Sequence, residues 1–99
     1  MDGNARGLGL IPLPIVADPG NGNLGFAQYD DHVPFVSVRA FYMFGLPEGA
    51  PRGRHAHRLT EQFMICLRGA VRTTAERTGK RQEFTLSGPG QALYLPPMT

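Results

Sequence analysis

The chain has one cysteine, a weak charge imbalance and no long apolar run, and each of these features excludes a class of protein. Cys66 is the only cysteine among 99 residues, so no intrachain disulfide can form and a reducing cytoplasm is the expected location. No apolar stretch approaches the roughly 20 residues that a membrane-spanning helix needs, so a soluble protein without a membrane partner is predicted. A net charge of +2 is too small to indicate a nucleic-acid partner.

Helical periodicity is also missing, because no segment of helical length has apolar residues at 3.6-residue spacing with caps at its ends. Glycine (13 residues) and proline (9 residues) instead separate short β-prone runs. The predicted strands cover residues 8–17, 24–29, 35–44, 61–67, 71–76, 82–86 and 92–95, with turns at residues 18–23, 78–80 and 87–90. This pattern predicts a single all-β domain over residues 1–99, built as a sandwich or barrel.

Several of these segments carry a more specific expectation. Two prolines, Pro12 and Pro14, place the first strand at the edge of a sheet. Residues 35–44 are rich in aromatic and β-branched side chains, which predicts a strand covered on both faces. Cys66 lies in an apolar run and is interpreted as a small buried side chain, and Gly69 is expected to allow the bend that follows it.

Two histidines and a glutamate form the most informative group of side chains. If the backbone is extended, His55 and His57 lie on one face about 7 Å apart, and Glu61 has the same parity if no bulge intervenes. The order along the chain is a glycine, five intervening residues, His-x-His, three intervening residues and a glutamate. A second glycine, Gly69, follows eight positions after the glutamate. This spacing resembles the first motif of the cupins, which implies a jelly roll with these groups inside the barrel.

A metal centre is not favoured by this motif alone. Metal-binding cupins add a further histidine from a second motif, and no histidine follows His57 in this sequence. His32 lies in a separate turn-like segment and is interpreted as a solvated loop residue.

Longer segments resemble one cupin family, the sugar 3,4-ketoisomerases with a WxcM-like domain. The segments are residues 39–44, Pro51-Arg52-Gly53-Arg54-His55-Ala56-His57, residues 61–69, residues 83–86 and residues 93–98. The resemblance implies a jelly-roll homodimer, a nucleotide-sugar substrate such as dTDP-4-keto-6-deoxyglucose, a place in deoxysugar biosynthesis, and no metal or other cofactor. It also implies an isomerase that moves the ketone from C4 to C3.

That reaction removes a proton from the carbon beside the carbonyl, passes through an enediolate and returns a proton to the former carbonyl carbon. Imidazole suits both steps at neutral pH, so His55 and His57 are the candidate acid–base pair. By resemblance, Arg52 and Tyr42 face the same pocket and hold the sugar or its diphosphate. Glu61 either orients a histidine from behind or pairs with Arg68.

Two alternatives stay open. The same residues His55, His57 and Glu61 are a plausible ligand set for a metal-dependent cupin such as a dioxygenase. A sugar-nucleotide-binding module without catalysis is the second alternative.

The chain departs from the family at two places. Asp18-Pro19-Gly20-Asn21-Gly22 stands where the family has an Asp-x-Arg-Gly signature, and family members continue for some tens of residues past Pro96-Pro97. The expectation is therefore a C-terminally truncated jelly roll that lacks the family's last strands, has an open site and is poorly active as a monomer.

Overall fold

A computed structural model describes residues 7–49 and 61–99, and this part of the chain contains seven β-strands and no helix. The strands are β1 (Gly9–Pro12), β2 (Ile15–Asp18), β3 (Gly22–Gly25), β4 (Gln62–Ile65), β5 (Val71–Arg77), β6 (Lys80–Leu86) and β7 (Gln91–Leu95). They form a three-stranded sheet in the order β1-β7-β4 and two hairpins, β2-β3 and β5-β6, all antiparallel. The all-β prediction is confirmed. Within the described ranges, no helix is long and apolar enough to cross a membrane.

The central strand of the larger sheet is β7, which is paired along both of its edges. Leu93 lies opposite Leu10 of β1 and opposite Met64 of β4. β1 is an edge strand, as its prolines predicted, and after it the Leu13 amide donates to the carbonyl of Gly90 at 2.9 Å. The last strand predicted from the sequence, at residues 92–95, therefore corresponds to the middle strand of this sheet.

The hydrophobic core lies between one face of this sheet and the β5-β6 hairpin. Its buried members are Cys66, Ala75, Leu86, Leu93 and Leu95, and the partly buried Leu8, Met64 and Phe84 pack around them. The prediction that Cys66 is buried is confirmed, since the residue is only 5% exposed. Its thiol lies 3.4 Å from the carbonyl oxygen of Arg68, which it reaches as a weak donor.

The β5-β6 hairpin has the turn that the sequence predicted. Arg77 pairs with Lys80, and the two residues between them, Thr78 and Gly79, have φ values of 53° and 79°. Positive φ at both central positions is the type I′ geometry, whose twist matches that of the flanking strands. Gly79 adopts this conformation without the steric cost that a Cβ brings. The bend predicted at Gly69 is also present, with a φ of 80°.

One predicted strand is wrong. Residues 35–44 form no strand, and several of their apolar side chains are exposed, including Val38 at 97%, Tyr42 at 80% and Phe44 at 82%. β-branched and aromatic residues favour a strand only where a neighbouring strand offers pairing and cover. No strand of residues 7–49 and 61–99 pairs with this segment. The segment has the composition of a strand, but composition does not show whether a neighbouring strand is present to pair with it.

Two smaller corrections concern strand length and burial. β3 ends at Gly25, although a strand was predicted to extend through residue 29, and β4 is half-buried where full burial was expected. His32 is more than a solvated residue. Its Nδ1 accepts the Gln28 amide at 2.9 Å, its own amide donates to the Gln28 carbonyl at 2.9 Å, and its ring meets Phe26 edge-on at 5.7 Å. It therefore closes the loop after β3.

Candidate active site

Two of the five predicted site residues lie within the described part of the chain. Glu61 immediately precedes β4, and Tyr42 lies in the segment of residues 35–44. His55, His57 and Arg52 lie outside the described residues, so their predicted roles stay predictions. The structure brings Glu61 to a residue that was assigned no role in the sequence analysis, Tyr94 of β7.

The hydroxyl of Tyr94 donates a hydrogen bond to Oε2 of Glu61 at 2.5 Å. The strand register explains the contact. Tyr94 lies opposite Phe63, so Phe63 and, two residues earlier, Glu61 have the parity of the Tyr94 face. An O–H donor on a carboxylate gives a charge-assisted hydrogen bond, which is shorter and stronger than one between neutral groups. The pair therefore ties the start of β4 to the central strand.

The Tyr94 side chain is held on several sides. It is 4% exposed, its ring centroid lies 6.3 Å from that of Phe35, and its strand neighbours are Gly9 of β1 and Phe63 of β4. The hydroxyl is thus a donor in a fixed position.

The electrostatic surroundings keep that hydroxyl protonated. Desolvation by burial, together with the hydrogen bond to Glu61 and the negative charge of that carboxylate, raises the pKa of Tyr94 from 10.0 to about 12. The positive charge of Arg77 acts in the opposite direction and is outweighed. At any physiological pH, Tyr94 is a neutral donor and cannot act as a base.

The alternative partner proposed for Glu61, Arg68, is not the one that it meets. An ion pair does form between Arg81 and Glu76, at 3.3 Å on the exposed face of the β5-β6 hairpin. Glu61 therefore does not serve as a surface counter-charge for Arg68.

Tyr42 is exposed and lies beside a second aromatic ring. Its centroid lies 6.2 Å from that of Phe44, and nearby the guanidinium of Arg39 lies 5.2 Å above the ring of Phe41. Its side chain is 80% exposed, so Tyr42 is not part of the hydrophobic core. Exposed aromatic faces next to a cation are suited to stacking on a planar group such as a base.

An apolar groove of about 340 Å³ lies on the Tyr94 side of the sheet, farther along the strands. It is lined by Leu13, Gly25, Phe26, Ala27, Ile65, Leu67 and Pro89. Ile65 shares the parity of Phe63 and Glu61, so the groove and the Tyr94–Glu61 pair belong to the same face of β4. In residues 7–49 and 61–99, no group of three His, Cys, Asp or Glu side chains is arranged to hold a metal ion.

Sequence reasoning missed the contact between Tyr94 and Glu61. The available signal was a tyrosine inside the short apolar strand at residues 92–95, because a buried tyrosine usually has a partner for its hydroxyl. Identifying that partner requires the register of β4 against β7, which the spacing of residues does not supply.

Comparison with known proteins gives a consistent result. The family described as "FdtA: WxcM-like, C-terminal" matches residues 6–99. A TDP-4-oxo-6-deoxy-alpha-D-glucose-3,4-oxoisomerase of Aneurinibacillus thermoaerophilus is 36% identical over 76 residues, which is 77% of this chain and 55% of that protein. The chain thus spans about half the length of this curated relative.

Solved structures of QdtA, a sugar 3,4-ketoisomerase of Thermoanaerobacterium thermosaccharolyticum, have the same fold. The complex with TDP matches with a TM-score of 0.83 and 28% identity over 91% of this chain and 65% of QdtA. A histidine-to-asparagine mutant in complex with TDP-4-keto-6-deoxyglucose also has a TM-score of 0.83, with 27% identity over 98% of this chain and 67% of QdtA. The predicted cupin-type jelly roll is confirmed by this likeness. Since the family profile covers nearly the whole sequence, the chain belongs to the WxcM-like, C-terminal family.

Proposed function

We propose that this chain carries the active site of a sugar-nucleotide 3,4-ketoisomerase acting on a TDP-linked 4-keto-6-deoxyhexose in deoxysugar biosynthesis. The observation that carries the proposal is the fold match, at a TM-score of 0.83, to a ketoisomerase that binds this class of sugar nucleotide. The 36% identity to a 3,4-oxoisomerase supports the same reaction. The Pro-Arg-Gly-x-His-Ala-His segment of this chain supplies residue types that the reaction needs.

The chemistry is a proton transfer between neighbouring carbons. His57 takes the proton from C3 of the sugar, the C3–H electrons form the double bond of an enediolate, and the C4 oxygen takes up the negative charge. A proton is then delivered to C4, with His55 assisting. The C3 hydroxyl gives up its proton and becomes the ketone, and the C4 oxygen takes up a proton and becomes the hydroxyl. Imidazole suits both roles because its ordinary pKa is near 6.5.

Binding and charge stabilisation are assigned to two further residues. Arg52 offers a planar set of N–H donors that matches phosphate or enediolate oxygens. Tyr42 contacts the nucleotide sugar, and its exposed ring next to Phe44 supports such a role. Glu61 orients a motif histidine, and its fixed contact with Tyr94 supports an orienting role over a surface role. No metal ion is assigned to the reaction.

We also propose a homodimer in the cytoplasm. The exposed apolar side chains of residues 35–46 support self-association, because large exposed apolar patches typically mark contact surfaces. Val38→Asp should lower the dimer fraction measured by sedimentation velocity, whereas Leu67→Asp, at an exposed apolar residue outside this patch, should not. Equal effects of the two variants would place the interface elsewhere.

The function is tested by incubating the protein with TDP-4-keto-6-deoxyglucose in deuterated water. Isomerase activity incorporates deuterium into the sugar ring and yields a 3-keto product, while a binding module gives neither. His57→Asn should lose turnover and keep its affinity for TDP. Loss of activity on chelation together with a stoichiometric metal ion would support a metal-dependent cupin instead.

A further inference from the structure

The buried hydroxyl of Tyr94 is engaged with a carboxylate that the proposed reaction already uses. Tyr94 is on the central strand, is 4% exposed and donates to Glu61 Oε2 at 2.5 Å. A tyrosine whose only purpose is packing does not need this bond, since phenylalanine fills the same space. The hydroxyl therefore has a role that packing alone does not explain.

The geometry favours an effect of Tyr94 on Glu61 and not the reverse. Tyr94 is fixed by pairing on both edges of β7 and by the Phe35 ring, whereas Glu61 precedes β4 and is less buried than Tyr94. A carboxylate accepts hydrogen bonds on both oxygens, so a bond to Oε2 defines its orientation and leaves acceptor capacity at Oε1.

Among the described residues, two charged groups act on the Tyr94 hydroxyl. Glu61, at the start of β4, and Arg77, at the end of β5, have opposite effects, and the protonated hydroxyl is the net result. The hydroxyl thus stays a donor over the pH range in which the enzyme would work.

We propose that Tyr94 is a positioning residue for the isomerisation and that it acts through Glu61, whose carboxylate it holds in one orientation. The inference rests on the proposed function. Tyr94 does not touch the reacting atoms, and its contribution is to the fixed geometry of a group that supports the acid–base step.

The test compares Tyr94→Phe with Tyr29→Phe, which removes a hydroxyl from a tyrosine that is 54% exposed and lies far from Glu61 in sequence. Tyr94→Phe should lower kcat by on the order of tenfold and change KM less than about twofold, because an orienting bond to an ionised group is lost. Tyr29→Phe should match the wild type in both kcat and KM.

Two further variants separate positioning from stability. In the Glu61→Gln background, adding Tyr94→Phe should change kcat by less than about twofold, because a residue that acts through Glu61 has little effect once its charge is gone. Glu61→Asp keeps the charge but withdraws it from the Tyr94 hydroxyl, and it should reproduce the loss in kcat. If Tyr94→Phe does not fold, the kcat of Glu61→Asp tests the proposal by itself.

Three outcomes would overturn the inference. They are an unchanged kcat in Tyr94→Phe, losses that multiply in the double variant, and full activity of Glu61→Asp. Each of these leaves the isomerase proposal standing as long as the wild type turns over. If the wild type neither exchanges deuterium nor forms product, both proposals fall together.

Discussion

The core around Leu93 provides the most direct test of how the fold is stabilised. Leu93 is 0% exposed, lies on the central strand and faces Leu10 and Met64 on the strands at either side. Replacing leucine by alanine at a fully buried site costs about 2.7 to 5 kcal/mol, and the cost rises with the cavity that remains. Because β7 is paired along both edges, its neighbours cannot close in from the side. We therefore expect Leu93→Ala to lose about 4 kcal/mol, in the upper half of that range.

A loss of this size is large for a domain of 99 residues, whose total stability is typically about 5 to 15 kcal/mol. It should lower the melting temperature by roughly 15 to 30 °C. The measurement is urea unfolding followed by far-UV circular dichroism at one fixed protein concentration, since self-association makes midpoints concentration-dependent.

The matched control is Leu67→Ala, which makes the same chemical change at a residue that is 76% exposed. It should stay within about 0.5 kcal/mol of the wild type. A loss below about 1 kcal/mol for Leu93→Ala, or equal losses for the two variants, would show that the core is not where the structure puts it.

Four further outcomes are expected. Because the pKa of Tyr94 rises from 10.0 unfolded to about 12 folded, the folded protein keeps a proton that the unfolded chain releases, and stability should fall by on the order of 2 to 3 kcal/mol as the pH rises from 10 to 12. Urea unfolding of Tyr94→Phe should lack this fall. Gly79→Ala should cost about 1 to 2 kcal/mol in a thermal melt because its φ is 79°, whereas Gly90→Ala, which has open space and no positive φ, should be nearly neutral. Cys66 should react with Ellman's reagent only as fast as the protein opens, so rapid stoichiometric labelling would contradict its burial. Arg52→Ala should weaken TDP binding in calorimetry by about 1.5 to 3 kcal/mol, and an unchanged affinity would remove Arg52 from the phosphate site.

The features that sequence predicted well are local ones. The turn at Thr78 and Gly79 follows from residue preferences at two positions, and the burial of Cys66 follows from an apolar run of five residues. The first cupin motif likewise depends on spacing over about twenty residues, and it predicted the fold that the match to QdtA confirms. Each of these signals lies within one short stretch of chain.

The features that sequence missed depend on pairing between distant segments. Residues 35–44 have strand-forming side chains, but a strand also needs a neighbour, and composition does not say whether one is present. The Tyr94–Glu61 bond joins residues 33 positions apart and depends on a register that a shift of one residue would abolish. Pairing between distant segments could therefore be established only from the three-dimensional structure.

The place of β7 in the chain has a consequence for folding during synthesis. Both of its partners, β1 and β4, are made before it, and roughly 80 residues separate β1 from β7, which is on the order of 4 to 16 seconds of translation. During that interval β1 has no partner in its sheet, while β5 and β6 can already form their hairpin within microseconds because only two residues separate them. The nascent chain thus passes through a stage with two hairpins, β2-β3 and β5-β6, and two unpaired strands, β1 and β4. Chaperones that bind exposed strands can act at that stage.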